Sequence, residues 1–393
     1  MATQLGVTVL GAGPLAAEVL RIIRDTGTDL RARAGAPLVL DAADPDLVID
    51  TSDSADALAP VLDALRAGHT VITANASLVA THGHLLATAV ENHGGDLHFE
   101  ASVAGGVPVV RPLTQSLSGD RVRELLAVFP GHDAERTVAQ AAILATLAFH
   151  TRVEPGDVHR EPFGAPSAHD LAAAASLGLT LRLLTVCALV SEAPGPEHGG
   201  KERISVRVCP ALLPAEHPLA PLDPAVSAVS VTAEGAGPLM FSGGTDATAT
   251  ASALLGDLVT AARNRVDGAR APRASTYAEL PLAPLGDCPT RYYLNLHVTD
   301  HAGALAQVAA VFAVHGVGIA RLRQELHDTD AHLIVLTHRA PESALSDTVD
   351  ALTDSACVRA VTTRWRVEGT EDRTLSPRRQ ARPHSPRRAS VGS

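Results

Sequence analysis

Two stretches of the 393-residue chain carry residues whose types and spacing could do chemistry. In VLGAGPLAAEVL, Gly11, Gly13 and Ala16 follow the apolar residues 7–10 with the spacing G-x-G-x-x-A. Two glycines permit a tight strand-to-helix turn, and amides at the helix start would face a pyrophosphate. Pro14 suits the first helical turn, where its missing N–H would be unpaired anyway. With Leu15 it also makes the turn bulkier and removes one amide donor near a phosphate. Placed after a first strand, the motif points to dinucleotide binding. The second stretch, TVITANASLVATHG at 70–83, reads as a parallel strand running into a helix. Thr73 and Asn75 can hydrogen-bond there, whereas Ala76 and Ser77 carry no charge at neutral pH. His69, His82 and His84 flank its Thr-Ala-Asn segment, as proton donors or as exposed loop and helix histidines. Lys201 is the one lysine among 32 basic residues, so a mechanism that needs lysine must use it. It stands in the Pro/Gly-rich loop PGPEHGGKERI, where a solvated lysine is the alternative reading.

The elements that must position these residues follow from periodicity. Leu15, Val19, Ile22 and Ile23 recur with helical spacing. LVID at 47–50 leads to a helix over 55–66 stopped by Gly68, and TVITA at 70–74 leads to the helix SLVATHGHLLATAVENHG. LHFEAS at 97–102 is expected as a further strand, which completes a parallel α/β pattern. PLVL at 37–40 reads as the second strand, with Asp41 either a ribose ligand or a solvated loop carboxylate. Only six residues separate it from LVID, whereas a parallel crossover needs ~10 or more. The two are therefore not adjacent parallel strands: either PLVL pairs differently, or a crossover and a strand have been lost.

From 291 to 368 the pattern YYLNLHV, GALAQVAAVFAVHG, IARLRQEL, AHLIVLTHR, SALSDTVDAL, VRAVTTRWRV reads βαββαβ. The tail 370–393 is rich in Arg, Pro and Ser, with SPRR twice, and is expected as a disordered basic extension. It either solubilises the chain or contacts an anionic partner. A net charge of −11 argues against nucleic-acid binding. No apolar run reaches the ~20 residues of a membrane span, and the chain enters a strand at once, so a cytoplasmic protein with no membrane partner is expected. Cys187, Cys209, Cys288 and Cys357 are scattered without metal or disulfide spacing and read as buried thiols.

Across almost the whole chain the order of segments resembles homoserine dehydrogenase of the type with a C-terminal ACT domain. The matching stretches are TVITANASLVATHG, HFEASVAGGVPVVRPLTQSLSGDRV, AAILATLAFHTRV, MFSGGTDATATASALLGDLV and TRYYLNLHVTDHAGALAQVAAVFAVHGVGI. The resemblance implies a truncated Rossmann-like NAD(P)-binding domain over 1–135 and an α+β substrate and dimerisation domain over 136–288. It further implies that the helix near 246–264 packs back on the first domain, and that 289–369 form the ACT domain. The family reduces aspartate 4-semialdehyde to homoserine with NAD(P)H, on the way to threonine and methionine.

Residue by residue, the resemblance puts Gly11, Gly13, Pro14, Leu15, Thr73, Asn75, Gly243 and Gly244 at the cofactor, whose binding the bulkier turn weakens or abolishes. It puts a monovalent cation at the Glu100 carboxylate and the carbonyls near Val103, Gly105 and Val107; a structural turn capped by Glu100 is the alternative. At the ACT loop it matches Asp300 and Gly303 to a threonine site, with Ala302 where proline is usual; a ligand-free dimerisation module is the alternative. A homodimer or higher homo-oligomer is implied. The catalytic positions depart from the family. The lysine after the Asn of TAN is Ala76, a second lysine is Gln140, and the aspartate one turn before it is Arg136. Between SGDRV and AAIL the usual long acidic segment with its Asn-Gly-Thr turn is cut short, with Asp133 and Glu135 as relics or surface carboxylates. The expectation is impaired or lost catalysis; the alternative is a non-catalytic paralogue acting as an amino-acid-binding regulator or partner subunit.

Overall fold

A computed structural model describes residues 4–131, 133–191, 202–271, 276–299, 302–327 and 330–369. Lys201, Asp300 and the tail 370–393 lie outside the described residues. The first unit runs β1 (Leu5–Leu10), α1 (Pro14–Asp25), α2 (Gly27–Ala34), β2 (Leu38–Leu40), β3 (Leu47–Asp50), α3 (Leu58–Arg66), β4 (Thr70–Thr73), α4 (Ala76–His93), β5 (Leu97–His98) and α5 (Glu100–Ala104). Its five strands are parallel in the order β2-β1-β3-β4-β5. β3 and β4 are buried at every residue, which is why Leu47–Ile49 and Val71–Ile72 are consecutive apolar residues instead of alternating with polar ones.

β2 and β3 flank β1 and do not touch each other. β2 pairs with Leu5, Gly6 and Val7, and β3 with Val7 to Leu10. Six residues are enough because the connection crosses the sheet at Gly6. A Cβ on Gly6 would lie 2.7 Å from the Ala42 Cβ and 3.2 Å from the Asp44 carbonyl oxygen, so a side chain there would push the loop off. The Gly6 N–H donates to Asp46 Oδ2 at 2.9 Å, and the Asp46 N–H donates back to the Gly6 carbonyl at 2.9 Å.

The strand expected over 97–102 is corrected: β5 stops at His98 and α5 begins at Glu100. The Glu100 carboxylate accepts the amides of Val109, Val110 and Arg111 at 2.6, 2.7 and 3.0 Å. These partners oblige the chain to double back, and Gly105 makes the turn at φ 63°.

The remaining chain forms β6 (Val122–Val128), α6 (Ala134–Phe149), β7 (His159–Arg160), α7 (Ala168–Ser176), β8 (Leu179–Ser191), β9 (Glu202–Pro214), β10 (Val226–Ala233), β11 (Gly237–Gly244) and α8 (Ala247–Asp267). After these come β12 (Pro289–Thr290), β13 (Tyr292–Thr299), α9 (Ala304–Val314), β14 (Ile319–His327), β15 (Asp330–Thr337), β16 (Ala340–Pro341), α10 (Glu342–Thr353) and β17 (Val358–Val367). One mixed sheet runs β11-β10-β6-β8-β9-β17-β13-β15-β14, with β7 beside β9. Since β6 lies between β10 and β8, the parallel unit ends before Val122 and not at 135. The C-terminal βαββαβ unit continues the same sheet through parallel pairing of Arg366 with Ala211 and Val367 with Leu212. In the other direction α8 leaves the middle unit. Its Ala251, Leu254, Leu258 and Ala262 share one core with Leu5, Val7, Ile49 and Ile72 of the parallel sheet. The four cysteines are free and buried, and no helix among the described residues is long and apolar enough to cross a membrane.

Candidate functional site

The C-terminal edge of the parallel sheet gathers the residues singled out near the chain start. Gly11 and Gly13 adopt φ of 98° and 130°. A Cβ on Gly11 would stand 2.7 Å from Thr51 Oγ1, so the exit of β3 holds the turn tight, whereas a Cβ on Gly13 would meet nothing within 4 Å. Helix α1 starts at Pro14 with no side-chain cap and no acid in its first turn. Its first internal bond runs from the Ala17 N–H to the Gly13 carbonyl at 3.0 Å, which leaves the amides of Leu15 and Ala16 directed past the helix end. An open glycine before an uncapped helix start suits a pyrophosphate, and these residues therefore fit NAD(P).

Next to this turn lies a network that the sequence reading does not contain. Asp50 is fully buried at the end of β3. Its Oδ2 accepts the Thr73 hydroxyl at 2.7 Å, and its Oδ1 accepts the Ser52 hydroxyl at 2.6 Å and the Ser52 N–H at 3.0 Å. Thr73 Oγ1 in turn accepts the Asn75 N–H at 3.0 Å. Asn75 caps α4: its Oδ1 accepts the Leu78 N–H at 2.9 Å, while Nδ2 donates to the Ser54 carbonyl at 2.9 Å and to Ser52 Oγ at 3.3 Å. Its amide is thus committed to protein partners, and Asn75 braces the cleft edge. The signal was the run Asp-Thr-Ser-Asp-Ser at 50–54 directly after an apolar strand.

At the positions where the resemblance leads one to expect lysine or aspartate, the side chains sit as follows. Ala76 opens α4 at 5% exposure, in one apolar cluster with Val79, Val103 and Ile143. Gln140, also 5% exposed on α6, donates its Nε2 to the Val103 carbonyl. Arg136, one turn earlier, is exposed, and Asp133 caps its backbone N–H at 3.1 Å. The histidines do not fill the gap. His84 bonds Arg152 at 3.0 Å beside a groove of about 240 Å³ lined by Val79, Ala87, Ile143 and Leu147, and His69 stands 3.8 Å from Asp44.

The Glu100 carboxylate is already engaged by protein donors. Besides three amides, its Oε2 faces Arg111 Nε at 3.7 Å, and the Val103 carbonyl is taken by Gln140. Burial raises the pKa of Glu100, an effect that the bonded amides partly oppose. Asp257 of α8 accepts the Glu100 N–H at 3.0 Å and the Arg111 guanidinium; burial raises its pKa as well, with Arg111 opposing. Gly243 and Gly244 are brought beside this segment, where the Gly106 N–H donates to the Gly244 carbonyl at 3.2 Å. Thr248 ties the same turn to α1 through Glu18 at 3.0 Å. Gly303 lies in the C-terminal unit, as the N-cap of α9 at φ 97° without a side-chain cap.

Comparison with known proteins gives one consistent answer. The family model for homoserine dehydrogenase matches residues 130–259, and that for the homoserine dehydrogenase NAD binding domain matches residues 24–100. The chain is 40% identical to the homoserine dehydrogenase of Mycobacterium tuberculosis, over 93% of this chain and 98% of the relative. It is 38% identical to that of Corynebacterium glutamicum, over 93% and 96%. The former comparison spans 437 positions, more than the 393 residues of this chain, so the relative carries stretches that are missing here. Among solved structures, a homoserine dehydrogenase from Thiobacillus denitrificans superposes with a TM-score of 0.82 at 23% identity, over 93% of this chain and 98% of that one.

Proposed function

Because this chain belongs to the homoserine dehydrogenase family, we propose that it binds NAD(P) at the Gly11–Gly13 turn and that its reduction of aspartate 4-semialdehyde to homoserine is impaired or lost. A bound nicotinamide would supply the hydride. As hydride reaches a carbonyl, negative charge develops on oxygen, and a cation or proton donor must stand beside it. The observation that carries the reading is the Ala76 methyl, buried in an apolar cluster at the first residue of α4. Gln140, bonded to the Val103 carbonyl, supports it. Removal of one such group commonly costs ~10²-fold to 10³-fold in rate, and joint losses do not simply add. What remains is positioning: Asp50, Thr73 and Asn75 hold the strand ends, and α1 offers its amides to the phosphates.

NADPH oxidation by the full-length chain with aspartate 4-semialdehyde tests this, run beside a direct NADPH-binding measurement. Turnover is expected below ~0.1 s⁻¹ with NADPH still bound; turnover near the ~10 s⁻¹ of an ordinary enzyme would sink the reading. A second reading draws on the C-terminal unit, whose four strands run in the order β17-β13-β15-β14 with Gly303 at an uncapped helix start. We infer an ACT-type module that takes an amino acid such as threonine in a homodimer, which would make the chain a regulator or partner subunit. Threonine binding without turnover supports that role.

A further inference from the structure

The groove beside His84 lies where two units of the fold meet. One wall belongs to the parallel unit, with Val79, Ala87 and Val90 of α4; the other belongs to the middle unit, with Ile143 and Leu147 of α6 and Val153 beyond its end. All of these but Ala87 are buried, so the groove is lined by core side chains and not by a surface patch. Val79 stands three residues after Ala76 and Ile143 three after Gln140, so each wall starts one helical turn from a residue that replaces an expected lysine. The two ends differ in charge. At one, Arg152 donates to His84 Nδ1 at 3.0 Å and pairs with Glu154. Among the described residues both contacts run through Nη2, and the fork still offers Nε and Nη1 to a planar anion. The Glu154 pair is about half-exposed on both sides and holds Arg152 only weakly. At the other end stand Glu91, two helical turns or ~10 Å along α4 from His84, and Asp96, buried and bonded to the Ala271 N–H at 3.0 Å.

We propose that this groove is a binding site for a small amphipathic monocarboxylate, with its apolar tail between α4 and α6 and its head on Arg152. An apolar cleft at a domain junction with a few convergent polar groups is the usual form of a small-molecule site. The volume of about 240 Å³ holds about eight non-hydrogen atoms at ~30 Å³ each, the size of hexanoate. The head is an anion because Arg152 presents open donors, whereas the Asp96 carboxylate is buried and already accepts an amide. With Glu91 and Asp96 at the far end, the field along the groove also orients the tail away from Arg152. Since the walls belong to different units, an occupant clamps the parallel unit to the middle unit just behind Ala76 and Gln140. Such binding needs neither a dinucleotide nor turnover.

The test is calorimetric titration of the full-length protein with hexanoate and with hexylamine, an amine of the same length. Hexanoate is expected to bind with a dissociation constant of about 0.1–1 mM, and hexylamine at least about tenfold more weakly. Gly83 also lines the groove, and a Cβ on it would meet nothing within 4 Å. Gly83→Leu therefore fills the space while favouring the helix, and should abolish hexanoate binding up to about 10 mM with no loss of thermal stability. Arg152→Gln keeps the length of the side chain without its charge and should weaken hexanoate about fivefold or more. Failure of the wild type to bind hexanoate below about 10 mM overturns the site. So does hexylamine binding as tightly as hexanoate, or hexanoate binding that survives Gly83→Leu.

Discussion

The cleft edge and the seam between the middle and C-terminal units both bury polar side chains, but they do so differently. At the cleft one carboxylate, Asp50, is surrounded by hydroxyls and an amide, each bonded to the next along 50–54 and 73–78. At the seam full charges meet. Arg366 pairs with Glu161 and Glu342, Tyr292 donates to Glu342, and Arg207 pairs with Glu368 at 3.2 Å. Arg207, Arg366, Glu342 and Glu368 are each no more than 6% exposed, yet Arg207 Nε and Nη1, Arg366 Nε and Glu342 Oε2 have no partner. Full charges therefore gather at the joint of the sheet and around Glu100, Arg111 and Asp257, while the strand ends expected to do hydride chemistry are capped, hydroxylated and apolar. A buried ion cluster is by itself no sign of a catalytic centre.

The contrast is broken most forcefully at Arg366. Burial works against its charge, and the Glu161 and Glu342 carboxylates more than offset this, so its pKa lies above the ordinary guanidinium range. Arg366→Met takes the shared cation from the Glu161 and Glu342 carboxylates, and a loss of ~3–5 kcal/mol is expected in urea unfolding. Adding Glu342→Met should return part of that loss, because the stranded charge goes with it. A cost below about 1 kcal/mol for the single change would mean that the seam is not held by these ions.

His98, near the cleft edge at the end of β5, provides a second and smaller test. Burial lowers its pKa to about 4 from 6.5, with Asp96 opposing and Arg111 assisting. Between those values the unfolded chain takes up a proton that the folded chain refuses, so stability falls as pH drops from 6.5 towards 4. The loss attributable to this group is on the order of 2–3 kcal/mol at the acid end. Glu100 and Asp257, whose pKa values are raised, act in the opposite sense, since the folded state holds their protons more tightly as pH falls. The difference between wild type and His98→Asn isolates the histidine. Melting curves at pH 7.5 and 5 should separate the two proteins only at the lower pH; equal acid sensitivity would refute the assignment.

What could be read from the sequence follows the range of the interactions involved. The glycine turn, Pro14 at the start of α1 and the apolar strands β3 and β4 rest on local geometry, and they stand where spacing puts them. The position of β2 on the far side of β1 follows from the length of one loop. That Ala76 and Gln140 carry no charge is likewise visible in single residues. By contrast, LHFEAS alternates well enough for a strand, and only the three amides 9 to 11 residues downstream turn Glu100 into a helix start. The boundary at 135 fails for a similar reason: β6 follows the first unit in sequence but pairs with strands far along the chain. Asp50 and Thr73 are 23 residues apart and meet because β3 and β4 are neighbours, and Arg366 reaches Glu342 across a hairpin of helix and strand. The polar run at 50–54 marks a loop worth noticing, but no local pattern names Thr73 or Glu342 as the partner.

The smallest effect asks most directly what the cleft network is for. Asn75→Ala removes the α4 cap and the two donations to Ser52 and Ser54, and should cost ~1–2 kcal/mol in unfolding. Asn75→Ser keeps a capping oxygen for the Leu78 N–H but cannot span to the Ser54 carbonyl, so its stability should stay within about 0.5 kcal/mol of wild type. The loop 51–54 also presses on Gly11, whose added Cβ would lie 2.7 Å from Thr51 Oγ1. A loosened loop should therefore loosen the glycine turn, and Asn75→Ser is expected to weaken NADPH binding several-fold with little change in stability. If binding instead follows stability in both variants, the network braces only the helix. The cleft and the seam would then differ in charge but not in purpose.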